Sequence, residues 1–173
     1  MTTHPNSTDP QPASPHDGAQ SRPRPTAPLR LGLCCQFVHE PIKFRATTAT
    51  ALLRLPRPEQ LARLAELCRA NAEALLAALT FCASHGIGAF RILSQILPVK
   101  THPQAGYALA ELPGGAEISA RFRACGQFAR AHDLRLSFHP DQFVVLNSPN
   151  PQTLASALAE LDYQAEVAEW VGA

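Results

Sequence analysis

PEQLARLAELCRANAEALLAALTFCASHGIGAFRIL, residues 58–93, reads as a long helix handing over to a strand. Leu61, Leu64, Leu67, Cys68, Ala72, Leu75, Leu76 and Leu79 recur near the 3.6-residue period of an amphipathic helix over Pro58–His85. Gly86 stands where a helix C-cap needs a residue that enters the left-handed region without strain. Ala89–Leu93, AFRIL, then reads as a second short strand, apolar except for Arg91.

The same handover recurs on either side. Leu29-Arg30-Leu31-Gly32-Leu33-Cys34-Cys35 precedes the helix as a first strand, bounded by Pro28 and a polar loop. Gly114-Gly115 open a second helix over about Ala116–His132, and Leu134–Phe138 make a third strand. A last helix runs from about Gln152 to Trp170, with Ser148 and Asn150 as capping residues and Pro151 in its first turn. Strand and helix alternate three times, which predicts a parallel sheet covered by helices. Such units belong either to a small open sheet or to part of a (β/α)8 barrel, which typically needs about 250 residues.

The first 28 residues are rich in Pro, Ser and Thr and almost free of large apolar side chains. Such a segment buries too little to offset its ordering entropy and is expected to be a disordered tail, leaving one domain over 29–173. Arg22, Arg24 and Arg30 could graze a phosphate backbone, though solvation is the simpler expectation. The net charge of +1 gives no bulk signal for nucleic acid or membrane, so a charged surface would have to be local. Apolar runs are too broken to span a bilayer, and no export signal opens the chain. The expectation is a cytoplasmic protein with no membrane partner, whose five cysteines (Cys34, Cys35, Cys68, Cys82 and Cys125) are reduced. Cys34 or Cys35 at a strand end could be a nucleophile, but packing explains them more simply.

In parallel α/β folds ligands sit beyond the carboxyl ends of the strands. Here the second strand leads to Ser94, Gln95 and His102-Pro103, and the third to His139-Pro140-Asp141-Gln142-Phe143. A histidine at a strand end suits a metal, because one ring nitrogen can bind the ion while a backbone carbonyl orients the other. The following proline narrows the direction of that side chain. Asp141 could supply a carboxylate, but a turn bonded to its own backbone is the simpler role. Gln142-Phe143 pairs an amide with an aromatic ring: Phe143 either packs beneath the loop or stacks on a nucleobase while Gln142 bonds a base edge.

FRILSQILPVKTHP (Phe90–Pro103), RLSFHPDQFVVLNSP (Arg135–Pro149) and LGLCCQF…FRATTATALLRL resemble segments of the UV damage endonuclease (UvdE) family. The resemblance covers nearly everything from Leu29 to Ala173, and the second segment is the specific one. It implies the first three βα units of a TIM barrel with divalent ions, typically Mn2+ (Mg2+ or Zn2+ being alternatives), at its C-terminal face. The implied activity is DNA repair: hydrolytic nicking of damaged double-stranded DNA 5′ to UV photoproducts by a monomer. His102 and His139 match metal-site histidines, and are therefore the implied catalytic residues. Gln142 and Phe143 match a lesion-probing Gln-Tyr pair, with Phe keeping the ring. Lys43, Arg45 and Lys100 are the candidate contacts to the DNA backbone. Leu33 and Phe37 depart from the family, standing where some members have Tyr and Asn, and Lys100 replaces a small residue. The family's other ligands lie on later strands, so this chain alone is expected to be inactive. The alternatives are a sugar isomerase or epimerase of a related metal-dependent barrel, and an inactive truncated remnant.

Overall fold

The structure, a computed structural model, describes residues 29–173; the expected N-terminal tail lies outside the described residues. Its elements run β1 (Gly32–Cys34), α1 (Ala49–Leu52), α2 (Arg57–Ser84), β2 (Ala89–Ile92), α3 (Gly115–Ala131), β3 (Arg135–Phe138) and α4 (Pro151–Val171), with a 3-10 turn at Leu109–Glu111. The one-turn helix α1 has no signal in the apolar pattern; Thr48 caps it by accepting a hydrogen bond from the Ala51 amide. β1 is shorter than its apolar run, and Leu29 and Leu31 are exposed.

The three strands pair in parallel in the order β1-β2-β3. Leu33, Phe90 and Leu136 share one register position, and Cys34, Arg91 and Ser137 the next. Because side chains alternate across a strand, these two rows face opposite ways. The first row joins the core with the helices, which pack in sequence order, α2 on α3 and α3 on α4. On the other face Arg91 and Arg135 are exposed. The strand order never reverses, as it would in a doubly wound sheet. The architecture is a partial TIM barrel, three βα units wound in one direction.

Along α2, Leu64, Leu67, Cys68, Ala72, Leu75 and Leu79 are buried as the period predicts, while Leu76 stands 40% exposed at the edge of the stripe. The helix ends as the sequence suggests. Gly86 takes φ 67°, and the Ile87 amide reaches back to the Cys82 carbonyl at 3.0 Å. The end of α3 repeats this with Asp133 at φ 52° and the Leu134 amide on the Ala129 carbonyl at 2.8 Å. Asp tolerates that conformation better than most residues. Its carboxylate also pairs with Arg30 at 2.8 Å, so Arg30 is held at the amino ends of the strands, away from their carboxyl ends. α4 starts on Asn150, whose side chain accepts from the Gln152 and Thr153 amides at 2.8 and 3.3 Å. Gly126 lets α3 and α4 touch, since a Cβ there would collide with the Val171 backbone. All five cysteines are free, and no helix among the described residues is long and apolar enough to cross a membrane.

Candidate functional site

Three loops leave the carboxyl ends of the strands: 35–48, 93–114 and 139–150. Loops normally run over the surface and move, yet buried polar side chains of the helices fix the first two. Asn71 of α2 is fully buried. Its Oδ1 accepts from the Arg45 amide at 2.6 Å, and its Nδ2 donates to the Arg45 and Ile96 carbonyls at 3.0 and 2.8 Å. One side chain thus joins the first loop to the second. Tyr163 of α4 secures the second loop again, its hydroxyl donating to the Ser94 carbonyl at 2.7 Å and accepting from the Leu97 amide at 3.1 Å.

The His139-Pro140-Asp141-Gln142-Phe143 run forms a turn. The Asp141 carboxylate accepts from the Phe143 amide at 3.1 Å, and the Val144 amide donates to the Asp141 carbonyl at 3.0 Å. Asp141 therefore takes the simple backbone-bonding role. The turn divides its side chains between two hollows. His139 and Gln142 line a cavity of about 340 Å3 with Cys35, Gln36, Ser94 and Gln95. Phe143 edges a neighbouring cavity of about 440 Å3 with Thr101, Glu160 and Tyr163. Asp141 borders both. Phe143 does not pack beneath the loop; it is 75% exposed.

His102 stands apart and lines neither cavity. Its Nδ1 accepts from the Gln104 and Ala105 amides at 3.2 and 3.1 Å. This reverses the carbonyl-oriented ring expected from sequence: an accepting Nδ1 leaves the proton of a neutral ring on Nε2. A ligand role through Nε2 requires that proton to move and the turn at 102–105 to open. Gly106 closes the same turn, where a Cβ would come within 2.5 Å of the His102 carbonyl and 2.7 Å of that of Lys100.

The candidate DNA contacts also separate. Lys43 and Arg45 are exposed on the first loop. Lys100 is committed inside the fold: its side chain is 13% exposed, it donates to the Tyr107 carbonyl at 2.8 Å, and it lies 3.6 Å from Glu166. Its ammonium also sits 5.5 Å from the centre of the Tyr107 ring. Lys100 is therefore a strut of the second loop rather than a free cation at a DNA surface. Phe37, at a position where a site-lining residue was sought, packs edge-on against Phe81 with ring centres 5.3 Å apart.

Among the described residues no three His, Cys, Asp or Glu side chains stand together so as to hold a metal ion. With His102 and His139 in separate surroundings, the residues present do not fit a complete metal centre.

The family model described as UV-endonuclease UvdE matches residues 29–172. The chain belongs to the UvdE family. A UV DNA damage endonuclease of Nostoc sp. is 31% identical over 150 residues, covering 86% of this chain and 45% of the relative. One from Bacillus cereus is 28% identical over 128 residues, covering 74% and 39%. The crystal structure of SacUVDE superposes with a TM-score of 0.70 at 25% identity, covering 83% of this chain and 46% of that one. The chain thus spans less than half the length of these UvdE relatives, and it aligns with the N-terminal part of the UvdE fold. Asn71 and Tyr163 were missed in the sequence, although each places a polar atom in a buried position on a helix.

Proposed function

We propose that the chain supplies the damage-reading end of a DNA repair endonuclease that nicks double-stranded DNA 5′ to UV photoproducts by metal-dependent phosphodiester hydrolysis. It would act in the cytoplasm, on the nucleoid. The observation that carries this reading is Phe143: a large aromatic ring held 75% exposed at the tip of a turn stiffened by Pro140 and the Asp141 bond. An exposed ring gains nothing from water, but it can enter a base stack that damage has weakened. Gln142 beside it supplies an amide for a base edge, and Lys43 and Arg45 offer charge for the backbone. The two UvdE relatives, themselves named UV DNA damage endonucleases, support the same reading.

His139 and, once the 102–105 turn releases its Nδ1, His102 are proposed as two ligands of a divalent ion, Mn2+ first, with Mg2+ or Zn2+ as alternatives. The rest of that shell is not among the described residues. The 173-residue chain is accordingly expected to bind damaged DNA as a monomer and not to cut it. Fluorescence anisotropy with a duplex bearing one thymine dimer, against the same undamaged duplex, tests the binding. Tighter binding to the damaged duplex supports the proposal; equal affinities would sink it. Nicking of the damaged strand with added Mn2+ would refute the expected inactivity.

A further inference from the structure

Two of the five thiols are unlike the other three. Cys68, Cys82 and Cys125 are buried at 0%, 0% and 1% exposure. Burial raises all three thiols, pushing Cys68 up to about 11 and Cys125 up to about 12. They are inert core groups. Cys34 instead ends β1 exposed, and Cys35 follows it half-buried, its thiol raised by that burial and by the neighbouring Cys34.

Consecutive residues on a strand point to opposite faces, which keeps neighbouring sulfurs apart. Here the chain bends at Cys35. The Gln36 amide closes a three-residue turn on the Cys34 carbonyl at 2.5 Å, and the two sulfurs come within 3.7 Å. Arg91, in register with Cys34 on β2, donates to the Cys34 sulfur at 2.8 Å. Cys35 lines the cavity that holds His139 and Gln142.

Two thiolates each about 2.3 Å from one soft centre, at near-tetrahedral angles, have sulfurs roughly 3.5 to 3.8 Å apart. The pair therefore stands at a bridging distance. A disulfide suits it less well, because adjacent Cα atoms lie about 3.8 Å apart, below the usual range for a disulfide of about 4.4 Å and upward. No third His, Cys, Asp or Glu among the described residues completes a metal shell here. A fitting centre needs only two protein sulfurs, which trivalent arsenic carrying one organic group does. The guanidinium of Arg91 faces the negative charge that a ligating sulfur carries.

We propose that Cys34 and Cys35 form a dithiol site that captures one trivalent organoarsenic centre across both sulfurs, at the mouth of the His139 cavity. With phenylarsine oxide as the probe, two As–S bonds form and the As–O bonds break. The two thiol protons leave with the oxygen as one water, and no electrons are transferred.

Native mass spectrometry of the whole chain with equimolar phenylarsine oxide tests this. The expected result is one adduct per chain, removed by the dithiol 2,3-dimercaptopropanol and resistant to a monothiol. It is lost in Cys34→Ser and in Cys35→Ser, and kept in Cys125→Ser. No adduct, two arsenicals per chain, or an adduct that survives in both Cys34→Ser and Cys35→Ser overturns the proposal. Titration of native wild-type protein with a thiol-specific disulfide reagent gives a check free of variants. Two reactive thiols are expected, and none or all five would contradict the site. Neither readout depends on DNA binding.

Discussion

Asn71→Ala is the perturbation that loosens the candidate site without substituting any residue assigned to DNA, although it frees the backbone of Arg45. Asn71 is fully buried and holds three backbone groups: the Arg45 amide, the Arg45 carbonyl and the Ile96 carbonyl. Removing the amide costs the net value of those bonds and leaves their partners unpaired. The two bonds to the Arg45 backbone are part-buried, and about 1 kcal/mol is assigned to each. The Ile96 carbonyl lies beside a side chain that is 0% exposed, so its loss is nearer 2 kcal/mol. The total of about 4 kcal/mol is a large share of the roughly 5 to 15 kcal/mol that holds a domain folded. In urea, with a slope of about 2 kcal/mol/M for a chain this size, the midpoint should fall by roughly 2 M. Slow hydrogen exchange of the Arg45 amide should disappear together with that shift. Asn71→Asp should fare no better, since it keeps the acceptor but loses both donated bonds and buries a charge. A loss under about 1 kcal/mol, or an Arg45 amide that stays protected, would refute the reasoning.

Tyr163→Phe removes one hydroxyl that serves Ser94 and Leu97, and should cost about 1 to 3 kcal/mol in the same urea assay. Gly106→Ala forces a Cβ against two backbone carbonyls; a loss above about 1 kcal/mol is expected, and a neutral substitution would show that the 102–106 turn yields freely. Stability should also fall with alkali. Cys68 and Cys125 are raised from 9.0 to about 11 and about 12 in the folded chain, so the unfolded chain releases these protons first. Their contribution is full below about pH 9 and is lost as pH climbs toward the folded values. Urea midpoints measured from about pH 8 to about pH 11 should decline, and less steeply in Cys125→Ala.

Much of this was legible in the chain because the relevant signals are local. The 3.6-residue stripe of α2, Gly86 and the short apolar run at Ala89 each follow from neighbours in sequence, and together they specify a βα unit. The turn at Asp141 was equally readable, since an aspartate bonds its own backbone two residues on. What the pattern hid is long-range. Asn71 sits on the buried stripe of α2, where a polar residue is an anomaly worth noticing, but its partners Arg45 and Ile96 are about 25 residues away on either side. Lys100 looks like a free cation in sequence, and only the packing of Tyr107 and Glu166 around it turns it inward. Likewise, THP names a histidine in a proline-stiffened loop without saying which ring nitrogen the backbone amides will take.

The measurement that bears most directly on the central claim is the ratio of affinities for a thymine-dimer duplex and its undamaged twin, compared among wild type, Phe143→Tyr and Phe143→Ala. Phe143 is exposed and makes little contribution to folding, so all three proteins should melt alike. A preference for damage that Tyr keeps and Ala abolishes is the predicted result, with little change in affinity for the undamaged duplex. An unchanged ratio in Phe143→Ala would contradict the account, leaving the ring without a part in reading damage.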